Sequence, residues 1–254
     1  MNQSQSSHSP TLPRIALITG AARRIGRAAA LSMAARGYQV GVHYRNSETA
    51  AHSLVGEIEA GGGSAVALKA DLCCLGEVRG LIDACRETLG APSCLINNAS
   101  QFLHDSLGEM TEDIWNTHFD INLKAPVFLA RDLAKSLPEG VQGNVINIID
   151  QRVWRLTPDF FSYTISKSGL WSATQMLAQA LAPRVRVNAI GPGPVLKSVH
   201  QTEADFSKES EGTLLGHGPA PDEIARAIHF IIEASSMTGQ MIALDGGQHL
   251  SWRT

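Results

Sequence analysis

Tyr163 and Lys167 stand four residues apart, a spacing that on a helix puts both side chains on one face, about one turn apart. An ammonium that close can lower the phenol's pKa and make it a usable proton donor or acceptor. Thirteen residues before the tyrosine, after Asn147-Ile-Ile, stands Asp150. As an ionised carboxylate beside such a pair it would repel a developing alkoxide. It could instead hydrogen-bond Tyr163 and pass it a proton, which suits a C=N bond whose nitrogen must be protonated.

A second group, near the N-terminus, points to a phosphate-bearing ligand. In Thr19-Gly-Ala-Ala-Arg-Arg-Ile-Gly26, Gly20 and Gly26 frame a turn into a helix, with Arg23, Arg24 and Ile25 between them. Backbone there can approach a pyrophosphate, whose charge the free N–H groups favour. A site specific for NAD places an acidic residue about 20 residues beyond the glycines. Here the corresponding stretch reads His43-Tyr44-Arg45-Asn46-Ser47, with no acid until Glu48. Arg45 and Ser47, with Arg23 or Arg24 on the opposite wall, could grip a 2′-phosphate. NADPH is therefore the expected cofactor.

Short apolar runs alternating with longer periodic stretches predict the elements that hold these groups. Strands are expected at Ile15–Ile18, Gln39–Tyr44, 65–68, 94–96, 144–149, a sixth ending at 186–188, and 241–243. Helices are expected over about 24–36, 47–60 with Ser47 as N-cap, after Asp71-Leu72 up to Leu89, over 113–136 with Thr111 as cap, and over 163–181. The pattern predicts an α/β fold: one doubly wound Rossmann-type domain over 14–254, with a seven-stranded parallel sheet and helices on both faces. The irregular stretch 191–221 reads as a substrate loop, and Glu203 to Glu211 as a solvated helix face within it.

Composition narrows the class. A chain of 254 residues, 44 % hydrophobic, can bury a sizeable core. A net charge of −3 gives no electrostatic case for nucleic acid or an anionic membrane. The four cysteines show no CxxC and no metal-type pairing, so reduced thiols and no metal site are expected. Residues 1–13, polar and rich in Ser and Gln, read as a disordered tail rather than a signal peptide. No apolar run approaches the roughly 18 residues that span a bilayer, and a cytoplasmic enzyme is the expectation.

Taken in order, Thr19–Gly26, Asn97-Asn98-Ala99, Tyr163 and Lys167 resemble the short-chain dehydrogenase/reductase family over about residues 14–249. In that family a serine usually stands where this chain has Asp150. The resemblance implies that Tyr163 gives or takes the proton, Lys167 holds the ribose, and Asn122 supports a proton relay. It also implies that Asp71 and Leu72 flank the adenine, that Asn97, Asn98, Ala99 and Ser100 line the cofactor, and that Pro192-Gly193 lies near the nicotinamide.

Asp150, with Ser100-Gln-Phe102 and Leu244-Asp-Gly-Gly-Gln-His-Leu250, is similar to the pteridine reductase and dihydromonapterin reductase branch. That branch implies a pterin stacked between Phe102 and the nicotinamide, with Ser100, Phe102, Asp150 and Tyr163 touching it. The implied reaction takes 7,8-dihydropterin (dihydrobiopterin, dihydromonapterin or dihydrofolate) to tetrahydropterin by hydride transfer to the C6=N5 bond. Another carbonyl or imine substrate, or NADPH or pterin binding without turnover, stand as alternatives. The family further implies a homotetramer built on the helices at 113–136 and 163–181. His200, His217 and His249 are expected to face solvent, and Trp154 and Arg155 either wall the pocket or lie on its rim.

Overall fold

All four residues of β1 (Ile15–Ile18) are apolar, and none is more than 1 % exposed. A strand apolar on both faces belongs inside a parallel sheet covered by helices on each side, and the computed structural model places it there. The structure describes residues 14–198 and 200–252, so the tail expected at 1–13 lies outside them. β2 (Gln39–Tyr44), β3 (Ala65–Lys69), β4 (Cys94–Asn97), β5 (Gly143–Ile148), β6 (Val185–Pro192) and β7 (Met241–Leu244) complete the sheet. Their order is β3-β2-β1-β4-β5-β6-β7 with every pairing parallel.

Alternate side chains of the strands feed two cores. Ile18, Val40 and Val42 pack with Met33 of α1 (Arg24–Ala35), Leu54 of α2 (Glu48–Ala60) and Ile228 of α8 (Pro221–Glu233). Leu17, Leu95 and Val145 pack with Leu81 of α3 (Leu75–Thr88), Leu129 of α5 (Ala125–Ser136) and Ala178 of α6 (Phe161–Leu181). Each fully buried Leu or Ile contributes about 1.5–3 kcal/mol, so both faces hold the sheet against the entropy of ordering it. The order reverses between β1 and β4, and in such sheets ligands bind beyond the carboxyl ends of the strands at that crevice.

Three differences from the expected elements bear on the site. The helix expected over 113–136 is two helices, α4 (Glu112–Phe119) and α5, joined by a π-helical turn at Asp120–Lys124. Pro126 explains the break: it has no N–H for the carbonyl of Asn122, and its ring would crowd that oxygen. The stretch 191–221 is partly ordered, with β6 running on to Pro192 and α7 (Glu203–Glu211) closed by a capping box between Thr202 and Asp205. The third, α8, was not among the expected helices. It carries its own signals, Pro221 in the first turn and Glu223 accepting from the Ala220 N–H. Thr111 caps α4 as expected, whereas Ser47 sits at the start of α2 without a side-chain cap.

Candidate active site

The carboxyl ends of β1, β4, β5 and β6 open into one cavity of ≈ 960 Å³, which runs from the Gly20 turn to Tyr163. Its two ends are built differently.

At the Gly20 end the walls are mainly backbone. Gly20 has φ +62°, and a Cβ there would lie 3.0 Å from Ala99 Cα. A Cβ on Gly26 would lie 2.3 Å from the Gly20 carbonyl oxygen, so only glycine fits. The Thr19 hydroxyl oxygen accepts from the N–H groups of Asn98 and Ala99, each at 3.0 Å. The Asn98 amide returns bonds to the carbonyls of Thr19 and Gly20. His43, 2 % exposed, accepts the Gly20 N–H on Nδ1 and bonds the Ala70 carbonyl through Nε2. Its ring thus lines the cavity and shapes the turn at once. A Cβ on Gly193 would lie 2.7 Å from Asp245 Cα, which fixes that wall as well.

Gly20, Arg23, Arg24, Ile25, Gly26, His43, Arg45, Leu72, Asn98, Ala99, Ser100, Pro192 and Gly193 all line the cavity. Tyr44, Asn46, Ser47, Asp71 and Asn97 do not. Tyr44 points into the core against His52. Asn97 turns into the sheet, donating to Asn147 Oδ1 at 2.8 Å. Asp71 accepts from its own loop at the Cys73 N–H, and lies 3.9 Å from Arg45. Arg24 adopts the left-handed conformation, φ +56°, in which a glycine would be unstrained. Its guanidinium is already committed, donating to the carbonyls of Leu196 and Lys197 at 2.8 Å each. Arg23 and Arg45 line the same end of the cavity.

At the other end, side chains make the site. Asp150 follows β5 and opens a short 3₁₀ turn (Gln151–Trp154), its Oδ1 accepting the Arg152 N–H at 2.9 Å. Tyr163 donates its phenol to Asp150 Oδ2 at 2.8 Å. Lys167 lies one turn on along α6, 5.8 Å from the Tyr163 ring centre, and donates to the Ile148 carbonyl at 2.9 Å. Burial raises the pKa of the Asp150 carboxyl, against opposing bonds and charges from Arg152, Tyr163 and Lys167. Burial also lowers Lys167 to about 8, with Asp150 pulling the other way.

Tyr163 departs from the expectation of a phenol acidified by its lysine. Burial first, then the charge and hydrogen bond of Asp150, push its pKa well above the ordinary value, while Arg152 and the Ser100 hydroxyl temper the rise. The phenol is therefore kept in its protonated form, its proton held more tightly than in a free tyrosine.

Asn122 does not line the cavity. It is 0 % exposed in the π turn, where its Oδ1 accepts from the Ser100 hydroxyl and the Gln101 N–H. Its Nδ2 donates to the Gln101 carbonyl and the Ser166 hydroxyl. Three of these four bonds pin the segment that carries Phe102 and the fourth ties it to α6, so Asn122 acts as a positioning residue. Phe102 lies edge-on to Tyr163, ring centres 4.7 Å apart, and stacks face to face on Phe160 at 4.2 Å. A planar ligand on Phe102 must use the face opposite Phe160 or displace that ring.

Several cavity residues were not foreseen, among them Arg152, Phe160, Gln201, Glu209 and Gln248. Phe160 sits at φ +54° just before α6, with the Arg152 guanidinium 5.1 Å from its ring centre. Glu209 accepts from the Gln201 and Gln248 amides. His200 is exposed, as expected, and also lines the cavity. Trp154 is 43 % exposed and lies outside it, and Arg155 bonds the Gln248 carbonyl on its rim. Among the described residues no cluster of His, Cys, Asp or Glu could hold a metal ion, and no helix is long and apolar enough to cross a membrane.

Residues 20–249 match the family model described as enoyl-(acyl carrier protein) reductase. An uncharacterized oxidoreductase of Methylorubrum extorquens is 33 % identical, over 92 % of this chain and 97 % of the relative. A 3-oxoacyl-[acyl-carrier-protein] reductase of Synechocystis is also 33 % identical, over 92 % and 96 %. Among solved structures, FolM alternative dihydrofolate reductase 1 from Brucella suis, in complex with NADP, superposes with a TM-score of 0.92 at 48 % identity. That likeness covers 95 % of this chain and 97 % of the other. A blue fluorescent protein from a metagenomic library, in complex with NADPH, gives 0.87 at 31 %, covering 92 % and 97 %.

Proposed function

The chain belongs to the short-chain dehydrogenase/reductase family, and from that premise we propose that it reduces 7,8-dihydropterins to tetrahydropterins with NADPH. NADP(H) is the cofactor carried by the FolM and metagenomic neighbours. The cavity fits it: glycines stand where a Cβ would block a close backbone approach, Arg23 and Arg45 face the cavity, and Lys167 lies beyond. When bound, the cofactor supplies the hydride.

The protein's own residues then manage orientation and protons. Arg23 and Arg45 select the 2′-phosphate by charge-assisted bonds, and Phe102 and Ser100 orient a planar heterocycle beside Tyr163. Tyr163, kept protonated by burial and by Asp150, donates its proton to the ring nitrogen being reduced. When the Asp150 carboxyl itself carries a proton, the hydrogen bond between them reverses. As Tyr163 gives its proton to the nitrogen, Asp150 gives its own to the phenol oxygen, leaving a carboxylate and a neutral tyrosine.

The observation that carries this reading is the 2.8 Å bond from Tyr163 to Asp150, with Phe102 edge-on to the same phenol. A serine at 150 would stabilise an alkoxide, whereas a carboxyl supplies a proton, and imine nitrogen needs the proton. The FolM neighbours are alternative dihydrofolate reductases, and dihydrofolate reduction lies in the same chemical class. The names of the acyl-carrier-protein reductases favour ketone reduction instead. Loss of NADPH absorbance, followed with dihydrobiopterin, dihydromonapterin and dihydrofolate beside a ketone panel, decides between them. Saturable turnover of a dihydropterin is expected, and ketone turnover alone would reject the proposal. Assembly as a homotetramer through α4, α5 and α6 is part of the same proposal, and a monomer on sedimentation would remove it.

A further inference from the structure

Beneath the cavity wall lies a group of three buried polar side chains that the proposed chemistry does not use. His118 of α4 is 0 % exposed, Ser162 of α6 0 % and Asp105 1 %. Burying so many polar atoms is unfavourable unless each finds a partner, and here each does. The Leu103 backbone N–H points at His118 Nε2 at 3.0 Å, and a backbone N–H can only donate. Nε2 must therefore be the bare, accepting nitrogen, which puts the ring proton on Nδ1. Nδ1 faces the Ser162 oxygen at 2.7 Å and donates to it. The Ser162 hydroxyl, its lone pair so engaged, donates onward to Asp105 Oδ2. Asp105 also receives the Ser162 N–H, and its own carbonyl receives the Phe161 N–H.

Serine, histidine and aspartate in contact invite comparison with a nucleophilic triad, but the order is wrong. In a triad the carboxylate orients the histidine and the serine faces substrate. Here the serine sits in the middle, donates to the carboxylate, and has no access to solvent. The chain of bonds does mechanical work instead. It joins Leu103, the neighbour of Phe102, to Ser162, the neighbour of Tyr163. The His118 ring also packs edge-on to Tyr163, ring centres 5.9 Å apart.

We propose that His118, Ser162 and Asp105 form a buried positioning relay that sets the spacing between the Phe102 wall and the catalytic Tyr163. Asn122 pins the wall at Ser100 and Gln101; the relay pins it at Leu103 and Asp105. The relay works in one sense only, from Leu103 N–H through neutral His118 and Ser162 to Asp105. Its substrate readout rests on the pterin proposal, and its tautomer readout does not.

Two measurements on the full chain test it. In ¹⁵N-histidine NMR spectra at neutral pH, His118 is expected as the neutral ring protonated at Nδ1. A proton on Nε2, or a doubly protonated ring, would overturn the relay. The second measurement uses the reach of two amides. In His118→Gln the carbonyl oxygen comes where Nε2 accepts, keeping the Leu103 bond. In His118→Asn the amide reaches only as far as Nδ1, keeping the Ser162 bond and losing Leu103. KM for the dihydropterin should rise about tenfold in the Asn variant, since misplacing a wall by less than an ångström weakens orientation. It should recover most of that in the Gln variant, with NADPH affinity the same in both. Equal KM values in wild type and both variants, with only thermal stability lost, would reduce the relay to ordinary core structure and overturn the proposal. Silence of the wild-type enzyme with every dihydropterin would instead reject the pterin reading. The tautomer would then still decide the relay, and the KM comparison would pass to whichever substrate is turned over.

Discussion

The two ends of the cavity solve the same problem of placement by opposite means. Around Gly20 the site is held by strand ends: Thr19 after β1, His43 in β2 and Asn98 after β4 stand side by side because the sheet registers them. Around Tyr163 the site is held by buried side chains reaching across from separate segments. Asp105 and Ser162 meet although 57 residues apart, and His118 and Ser162 although 44 apart. The first design tolerates few residue types and leaves a motif. The second leaves almost none, because any pair of polar residues that meets in the core will serve.

The largest expected effect falls at the side-chain end, and it separates the ends cleanly. Tyr163→Phe removes the proton donor and the bond to Asp150 while leaving the Gly20 turn untouched. Dihydropterin reduction should fall by about 10²–10⁴-fold, while NADPH binding, followed by fluorescence titration, stays within about twofold of wild type. A matched loss of NADPH binding would mean that the two ends are one unit and that the contrast is false.

Asp150→Asn should cost less activity and add stability. The amide still meets Tyr163 but cannot pass a proton on, so turnover should drop by roughly 10–100-fold. The folded-state pKa of Asp150 is raised by burial. A raised pKa means that its contribution to stability is fully present at pH values below the unfolded value and lost as pH rises through the folded one. Above that folded pKa the carboxylate therefore works against the fold, and removing its charge should raise Tm there by a few degrees (about 2–4 °C per kcal/mol for a domain of this size). An unchanged or lower Tm would show that the bonds from Arg152 and Tyr163 outweigh the desolvation.

How much of this the sequence disclosed follows the same division. The sheet and the glycine turn were legible because strand runs and close backbone approach restrict residue type directly. Tyr163, Lys167 and Asp150 were legible through spacing along one helix and the strand end before it. The identity of the wall behind them was not. Asn122 read as a relay residue, yet its amide is wholly used on Ser100, Gln101 and Ser166. Arg24 read as a phosphate ligand, yet it holds the Leu196 and Lys197 carbonyls. Phe160 gave no signal, since nothing in a sequence marks a phenylalanine that will take a left-handed backbone and cover another ring. The capping signals of α8, Pro221 and Glu223, stand in the sequence at the end of the irregular stretch.

At the backbone end the expected effects are smaller, because no single side chain carries the cofactor. Arg45→Ala removes one of the two arginines facing the 2′-phosphate site. The preference for NADPH over NADH should fall by about tenfold, the worth of one charge-assisted bond. Arg24→Ala, tested alongside, should leave that preference intact because its guanidinium is engaged elsewhere. If the two variants behaved alike, the assignment of Arg24 to the 196–197 segment in the working enzyme would be wrong.

Lys167 stands between the ends and yields the smallest effect, with a sign that tests both. Burial lowers its pKa to about 8. In the reading above its ammonium grips the cofactor, so NADPH affinity of the free enzyme should weaken a few-fold as pH climbs through about 8. Stability must move the other way. A folded-state pKa below the unfolded one favours the neutral amine in the fold, so this contribution is present above the unfolded lysine value and is lost as pH falls through about 8. Rising pH thus firms the side-chain end while loosening the grip on the cofactor. Fluorescence titration of NADPH and thermal melts, run on the same samples across that interval, should show opposed slopes, and Lys167→Met should flatten both. A fall of stability together with affinity would mean that the cation at 167 holds the fold as well as the cofactor.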